Sequence, residues 1–248
     1  MIVEKVHWYE DPAKKWDDAG EWAKDVKERF KVLSKHEMND VEERVLTSAL
    51  KYRLQAFKDE DNPYHMFDDL NGIYIVEYDT NQGKEKYLIE FNNDPVHILR
   101  RTTGRAGYSC EHINNDAWLG PFHDIALGNS TIYFYDESGN FWWGRLNARW
   151  CITDEGEPDI GVDPNIYPRG VEPFNRRNDK LLKQAVRDIL DEEGYNDFST
   201  AETPYKYKGH SDTTSTYPDV KLPYTGSKYV KPIINKEPEW WWDQMYDM

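Results

Sequence analysis

Four groups of side chains in this 248-residue chain have the types and spacing to do chemistry. The first is Cys110-Glu111-His112 followed by His123-Asp124. A thiol beside an imidazole can act as a nucleophile with its base, and Cys, His and Asp together can ligate zinc. These residues therefore suggest a hydrolytic or metal site over 110–124. Their spacing matches no recognised metal pattern, so no metal ligand is assigned, and the competing reading is a pair of ordinary hydrogen-bonded histidines in a long loop. The second group is Arg100, Arg101 and Arg105 with Gly104 and Gly107, the tightest basic cluster in the chain. Guanidinium forks and permissive backbone suit a phosphate or a carboxylate. They equally suit pairing to the chain's own acids. The third group is Arg145, Asn147 and Arg149, spaced to share one strand face about 7 Å apart. Two arginines flanking an amide can hold an anionic ligand, a partner carboxylate or a covering acidic segment. The fourth is Trp240-Trp241-Trp242 within EPEWWWDQMYDM. Such a cluster either folds back onto the domain or serves as an aromatic docking anchor.

The elements that must position these groups follow from periodicity and turn chemistry. Residues 2–9 alternate loosely and read as a first strand. Asp11-Pro12 is a cap followed by proline at a first helical position, and Trp16, Ala19, Trp22, Ala23, Val26, Phe30 and Leu33 fall at helical spacing. This predicts a helix over about 12–34. A second helix begins after Asn39-Asp40, with Val41, Val45, Leu46, Ala49, Leu50, Leu54 and Phe57 as its apolar stripe. Ile73–Tyr78 and Lys86–Phe91 read as strands joined by a turn with Gly83 at positive φ, and Val96–Leu99 as a short extended piece. From Arg100 to Gly128 no period persists, and a long irregular stretch of this kind is often functional.

Residues 131–164 hold the clearest strand signals. They predict three consecutive antiparallel strands. In the middle one, Trp142, Leu146, Ala148, Trp150 and Ile152 form the core face, and Arg145, Asn147 and Arg149 the other. An amphipathic helix follows over Lys180–Leu190, capped by Asn178 or Asp179 and closed by Gly194. Phe198–Tyr207 reads as one more strand. Beyond it the composition shifts to Tyr, Pro, Thr, Ser, Gly and Lys. The predicted organisation is an α+β domain over 1–202 and an extended arm over 203–248.

Composition narrows the function classes. Ten Trp, 17 Tyr and nine Phe supply the apolar area for a core. The formal charge of −15 repels nucleic-acid phosphates and makes direct nucleic-acid binding unlikely. It suits a partner with a basic surface. No apolar run approaches the ~20 residues that span a bilayer, and the N-terminal stretch lacks the charged and apolar regions of a secretory signal. Two cysteines, Cys110 and Cys151, make no disulfide framework. A cytoplasmic protein without a membrane partner is expected.

The order strand, turn, long strand, strand ending Val162-Asp163-Pro164, Arg169-Gly170 loop and helix resembles the core of the acyl-CoA-dependent N-acetyltransferase superfamily. That superfamily commonly reads Val-x-Pro-x-Tyr-Arg-Gly-x-Gly at this point. This chain has Val162, Pro164, Tyr167, Arg169 and Gly170, with Pro168 inserted and the second glycine replaced in Val171-Glu172-Pro173. The resemblance covers about 131–195. It implies a mostly antiparallel central sheet with two N-terminal helices and one C-terminal helix. It also implies acetyl-CoA as cofactor, a phosphate contact at Arg169 and Gly170, and Glu111 or Asp163 as base. Glu172 puts a negative charge where the pyrophosphate would sit, and Pro173 has no amide to offer it. The favoured reading is an acidic, aromatic-rich protein-binding factor of inhibitor or antagonist type on such a scaffold. The alternatives are an acyltransferase or degenerate relative binding a phosphorylated ligand, and the hydrolase or metal site.

Overall fold

In a computed structural model, the described residues are 1–58, 66–81, 83–103, 120–135, 142–152, 158–162, 166 and 176–195. Six strands form one sheet: β1 (Ile2–Trp8), β2 (Gly72–Thr80), β3 (Gly83–Asn92), β4 (Ser130–Tyr135), β5 (Trp142–Ile152) and β6 (Pro158–Val162). They lie side by side in chain order, and every described pairing is antiparallel. The helices are α1 (Ala19–Ser34), α2 (Asp40–Phe57), α3 (Met66–Leu70), α4 (Pro95–Leu99), α5 (Gly120–Leu127) and α6 (Arg176–Glu192). The molecule is thus α+β, as the periodicities predict.

Several predicted segments change on folding. The helix expected over 12–34 is two pieces, a 3₁₀ turn at Pro12–Lys15 and then α1. Asp18 is responsible, because its side chain accepts from the Glu21 amide and caps a new helix. The piece at Val96–Leu99 is helical rather than extended. Asp94 accepts from the Val96 amide with Pro95 at the first position, the same cap-and-proline signal as Asp11-Pro12. The irregular stretch 100–128 contains a 3₁₀ turn at Arg100–Thr102 and α5. The C-terminal helix starts earlier than expected, at Arg176. The segments 104–119, 167–175 and 196–248 lie outside the described residues, and with them the predicted strand at 198–207 and the arm.

Two separate apolar cores flank the sheet. On one face, Tyr74, Val76, Ile89, Phe91, Ile132, Phe134, Leu146 and Ala148 meet Leu182, Ala185, Val186, Ile189 and Leu190 of α6. The second core is helix on helix, with Trp22, Val26 and Phe30 of α1, Val45 to Leu54 of α2, Ile98 of α4 and Phe122 and Ile125 of α5. Among the described residues no strand side chain takes part in it. The sheet face turned toward these helices is polar instead, and that is where the candidate site lies.

Candidate functional site

Strand register alone aligns the polar residues. Glu90, Tyr133 and Arg145 lie opposite one another across β3, β4 and β5, and Asn92, Thr131 and Asn147 form the next row. All share one face because side chains alternate along a strand. The helices and turns at 95–103 and 120–127 cover this face and add His97, Arg100, Arg101 and Asp124.

The two rows meet the covering layer in a closed end and an open end. At the closed end, Arg101 is fully buried. It donates through Nη2 to Asp124 Oδ2 at 2.5 Å and through Nη1 to Asn147 Oδ1 at 2.5 Å. Arg145, also fully buried, donates to Asn147 Oδ1 at 3.3 Å. Asn129 Nδ2 donates to the second oxygen of Asp124 at 2.8 Å. A buried charge pair of this kind is tolerated only when its lone pairs and protons are taken up by further hydrogen bonds, and here both Asp124 oxygens and both Arg101 Nη atoms are engaged.

The open end is built around Glu90. Its carboxylate accepts from the Tyr135 hydroxyl and from Asn92 Nδ2, the latter at 2.9 Å. His97 Nδ1 stands 3.7 Å away. Arg100 lies over the Tyr133 ring at 5.1 Å and reaches the Tyr135 hydroxyl at 3.3 Å. The Tyr133 hydroxyl donates to the His97 carbonyl at 2.5 Å, tying β4 to α4. Burial pushes the Tyr133 phenol up to about 12, against the pull of Arg145, Arg100 and Arg101. Burial and the Glu90 charge raise Tyr135 and Tyr9 as well. These hydroxyls remain protonated donors at neutral pH. Asp124 and Glu90 are already satisfied acceptors. The arrangement is therefore suited to locking the helical layer onto the sheet.

A second buried polar tie lies within the helical layer. Asp11 accepts from the Ala13 amide, from Asn93 Nδ2 at 2.7 Å and from Arg53 Nη2 at 3.2 Å. Arg53 also donates to the Asn93 carbonyl at 2.7 Å and lies 5.4 Å from the Trp22 ring centroid. It joins the link after β1 to α2 and to the link after β3.

The residues singled out from sequence separate as follows. Arg100, Arg101, Asp124, Arg145 and Asn147 come together, although they belong to three different predicted groups. The Arg145–Asn147 face is covered by α4, α5 and the turn between them. Arg149 lies in β5 opposite Gly161, and His123 lies in α5; their side chains are outside the described set. Cys110, Glu111, His112, Arg105, Arg169, Gly170 and Trp240–Trp242 also lie outside it. Among the described residues no group of three or more His, Cys, Asp or Glu is placed to hold a metal. No helix among them is long and apolar enough to cross a membrane.

Sequence reasoning missed Glu90, Asn92, His97, Tyr133 and Tyr135. Glu90 and Asn92 do alternate with Ile89 and Phe91, so the strand pattern held the signal. The Asn92-Asn93-Asp94 run reads first as a stop. Arg53 has a clearer signal, because it falls on the apolar stripe between Leu50 and Leu54 and so needs a buried partner. No protein-family model, no curated protein and no solved structure matches the chain.

Proposed function

We propose that this protein is a non-catalytic, acidic protein-binding factor whose partner presents a basic surface. One observation carries the reading. The polar row that sequence marks as a ligand site is filled by the chain's own side chains, whereas β1, at the sheet edge, exposes Ile2 (57%), Val6 (41%) and Trp8 (66%) to solvent. Clustered apolar exposure of that kind on an edge strand is a feature of interaction surfaces. The charge distribution supports it. Residues 1–58 carry 12 acidic and 12 basic residues, whereas 59–162 carry 19 acidic against seven basic, so the excess is concentrated rather than spread.

The acetyltransferase-like order remains part of this reading as a scaffold. What supports it is an N-terminal strand, then helices α1 to α3, then antiparallel strands in chain order with α4 and α5 between β3 and β4. Acyl transfer itself draws no support from the described residues. Inhibition or antagonism is the mode we favour for a factor of this charge.

The test is affinity capture of basic proteins on the full chain at low and high salt, followed by titration of each purified partner. The reading expects a saturable one-to-one complex that weakens with salt, because screening shortens the reach of surface charge. Titration with acetyl-CoA is the counter-test. A ligand at 100 times its dissociation constant adds ~2.7 kcal/mol of stability, so a clear rise in melting temperature would replace the binding reading with the enzymatic one.

A further inference from the structure

The two edges of the sheet are β1 and β6, and β1 pairs with β2 alone among the described strands. Edge strands present unpaired amides and carbonyls, and soluble proteins usually blunt them with an outward lysine. The lysine in β1 does not serve that purpose. Lys5 turns inward to the Asp69 carbonyl, stands 3.9 Å from Glu193 and lies over the Tyr74 ring at 5.1 Å. The exposed side chains of the edge are Ile2, Glu4, Val6, His7 and Trp8. Trp8, opposite Gly72, shares the α6 face with Lys5, whose Nζ lies 5.7 Å from its ring centroid, whereas Ile2 and Glu4, opposite Glu77 and Ile75, share the other face. The register shift between Lys5 and His7 bulges the strand at Val6, leaving Ile2–Lys5 as its regular stretch.

The surroundings of this edge are negative. Glu4 and Glu10 flank it along the chain. On the α6 side stand Asp69, Glu193 and the exposed Asp191 and Glu192, where the helix ends without a basic residue in its last turn. The negative end of the helix dipole adds to these charges. Lys5 is engaged as above, and Lys14 pairs with Asp68 at 2.8 Å.

We infer that β1 is a docking edge for an extended, lysine- or arginine-bearing segment of the partner, which adds a seventh strand to the sheet. Strand addition draws affinity from main-chain hydrogen bonds and specificity from alternate side chains. Here apolar residues of the incoming strand would meet Ile2 on one face and Trp8 on the other, with Val6 at the bulge between them, and its cations the acids on either side. The inference rests on the protein-binding reading and fixes where and how that binding occurs.

The experiment uses the full chain and a fluorescein-labelled decapeptide of alternating Lys and Val, read by fluorescence anisotropy. The expected result is saturable binding that falls at least tenfold in the Ile2→Lys/Val6→Lys variant. A matched control, Val32→Lys/Val41→Lys, adds the same charge at exposed positions on the helical layer and should bind within about twofold of the wild type. A Glu–Val decapeptide should not bind. Equal loss in both variants would mean that charge alone drives binding, and would overturn the β1 assignment while leaving an acidic binding factor intact. No saturable binding of the Lys–Val peptide overturns it too. Amide exchange of residues 2–8 in the free chain covers the remaining occupants. Slow exchange at every position would mean that a second copy or the chain's own residues already pair with the edge, and the proposal would fail.

Discussion

Replacing Asp124 with alanine separates a structural role from a catalytic one. In the folded chain this carboxylate takes charge-assisted hydrogen bonds from Arg101 at 2.5 Å and from Asn129 at 2.8 Å. Each such bond contributes about 1.5–3 kcal/mol. Loss of both agrees with the ~3–5 kcal/mol lost when one member of a buried ion pair is removed. Arg101 is fully buried, so water cannot replace the missing carboxylate without opening the layer. With a urea m-value of ~3 kcal/mol/M, the unfolding midpoint of Asp124→Ala should fall by about 1–1.7 M. The double variant Arg101→Met/Asp124→Leu removes both charges and should recover most of the loss. Equilibrium urea unfolding followed by far-UV circular dichroism measures both. If Asp124→Ala unfolds within about 0.5 kcal/mol of wild type, the carboxylate is not holding the layer.

Three further outcomes follow from the same coordinates. Burial raises the phenols of Tyr52 and Tyr133 to about 12, and those of Tyr9, Tyr74, Tyr78 and Tyr135 higher still. Their folded-state values lie above the unfolded ~10, so their stabilisation is full below pH ~10 and is lost as pH rises through the folded values. Lys5, lowered by burial, acts in the opposite sense but is a single group. Urea midpoints should therefore drop between pH 9 and 11, with buried tyrosines ionising only on unfolding; all 17 tyrosines titrating near pH 10 in a folded chain would refute this. Gly72→Ala would place a Cβ 2.2 Å from the His7 carbonyl oxygen across the β1–β2 pair; overpacking of that kind costs about 1–3 kcal/mol, read as a lower melting temperature with β1 amides exchanging faster. Asn39→Ala removes the α2 capping box with Glu42 and should cost about 1 kcal/mol, visible by thermal unfolding.

The parts of the fold that periodicity governs were legible in the sequence. The α2 stripe, the β2–β3 hairpin with Gly83 at φ 117° and the terminating Gly194 at φ 83° all follow from local rules. So does the division of β5 into an apolar face with Leu146 and Ala148 and a polar one with Arg145 and Asn147. What covers the polar face was not legible. Arg101 lies 46 positions from Asn147 and 23 from Asp124, and no local rule links residues at such separations. The α4 signal at Asp94-Pro95 could have been read, because Asp11-Pro12 carries the same one, but five residues give no apolar period to confirm it. Lys5 shows the limit most clearly. A lysine on an edge strand ordinarily protects that edge, and only the placement of Asp69 and Glu193 turns this one inward.

The polar interlayer bears on function as well as on stability. A sheet face packed on helices normally contributes apolar side chains to their core, and here, among the described residues, the helical core contains none from the strands. Apolar contact is non-directional and tolerates sliding, whereas Arg101 to Asp124 and Asn147, and Tyr133 to the His97 carbonyl, accept one register only. Removing such contacts is costly even where forming them yields little net stability. Among the described residues this polar chemistry is thereby committed to setting how the layers meet. The proposed function rests instead on β1, where exposed apolar side chains, an open strand edge and negative charge coincide.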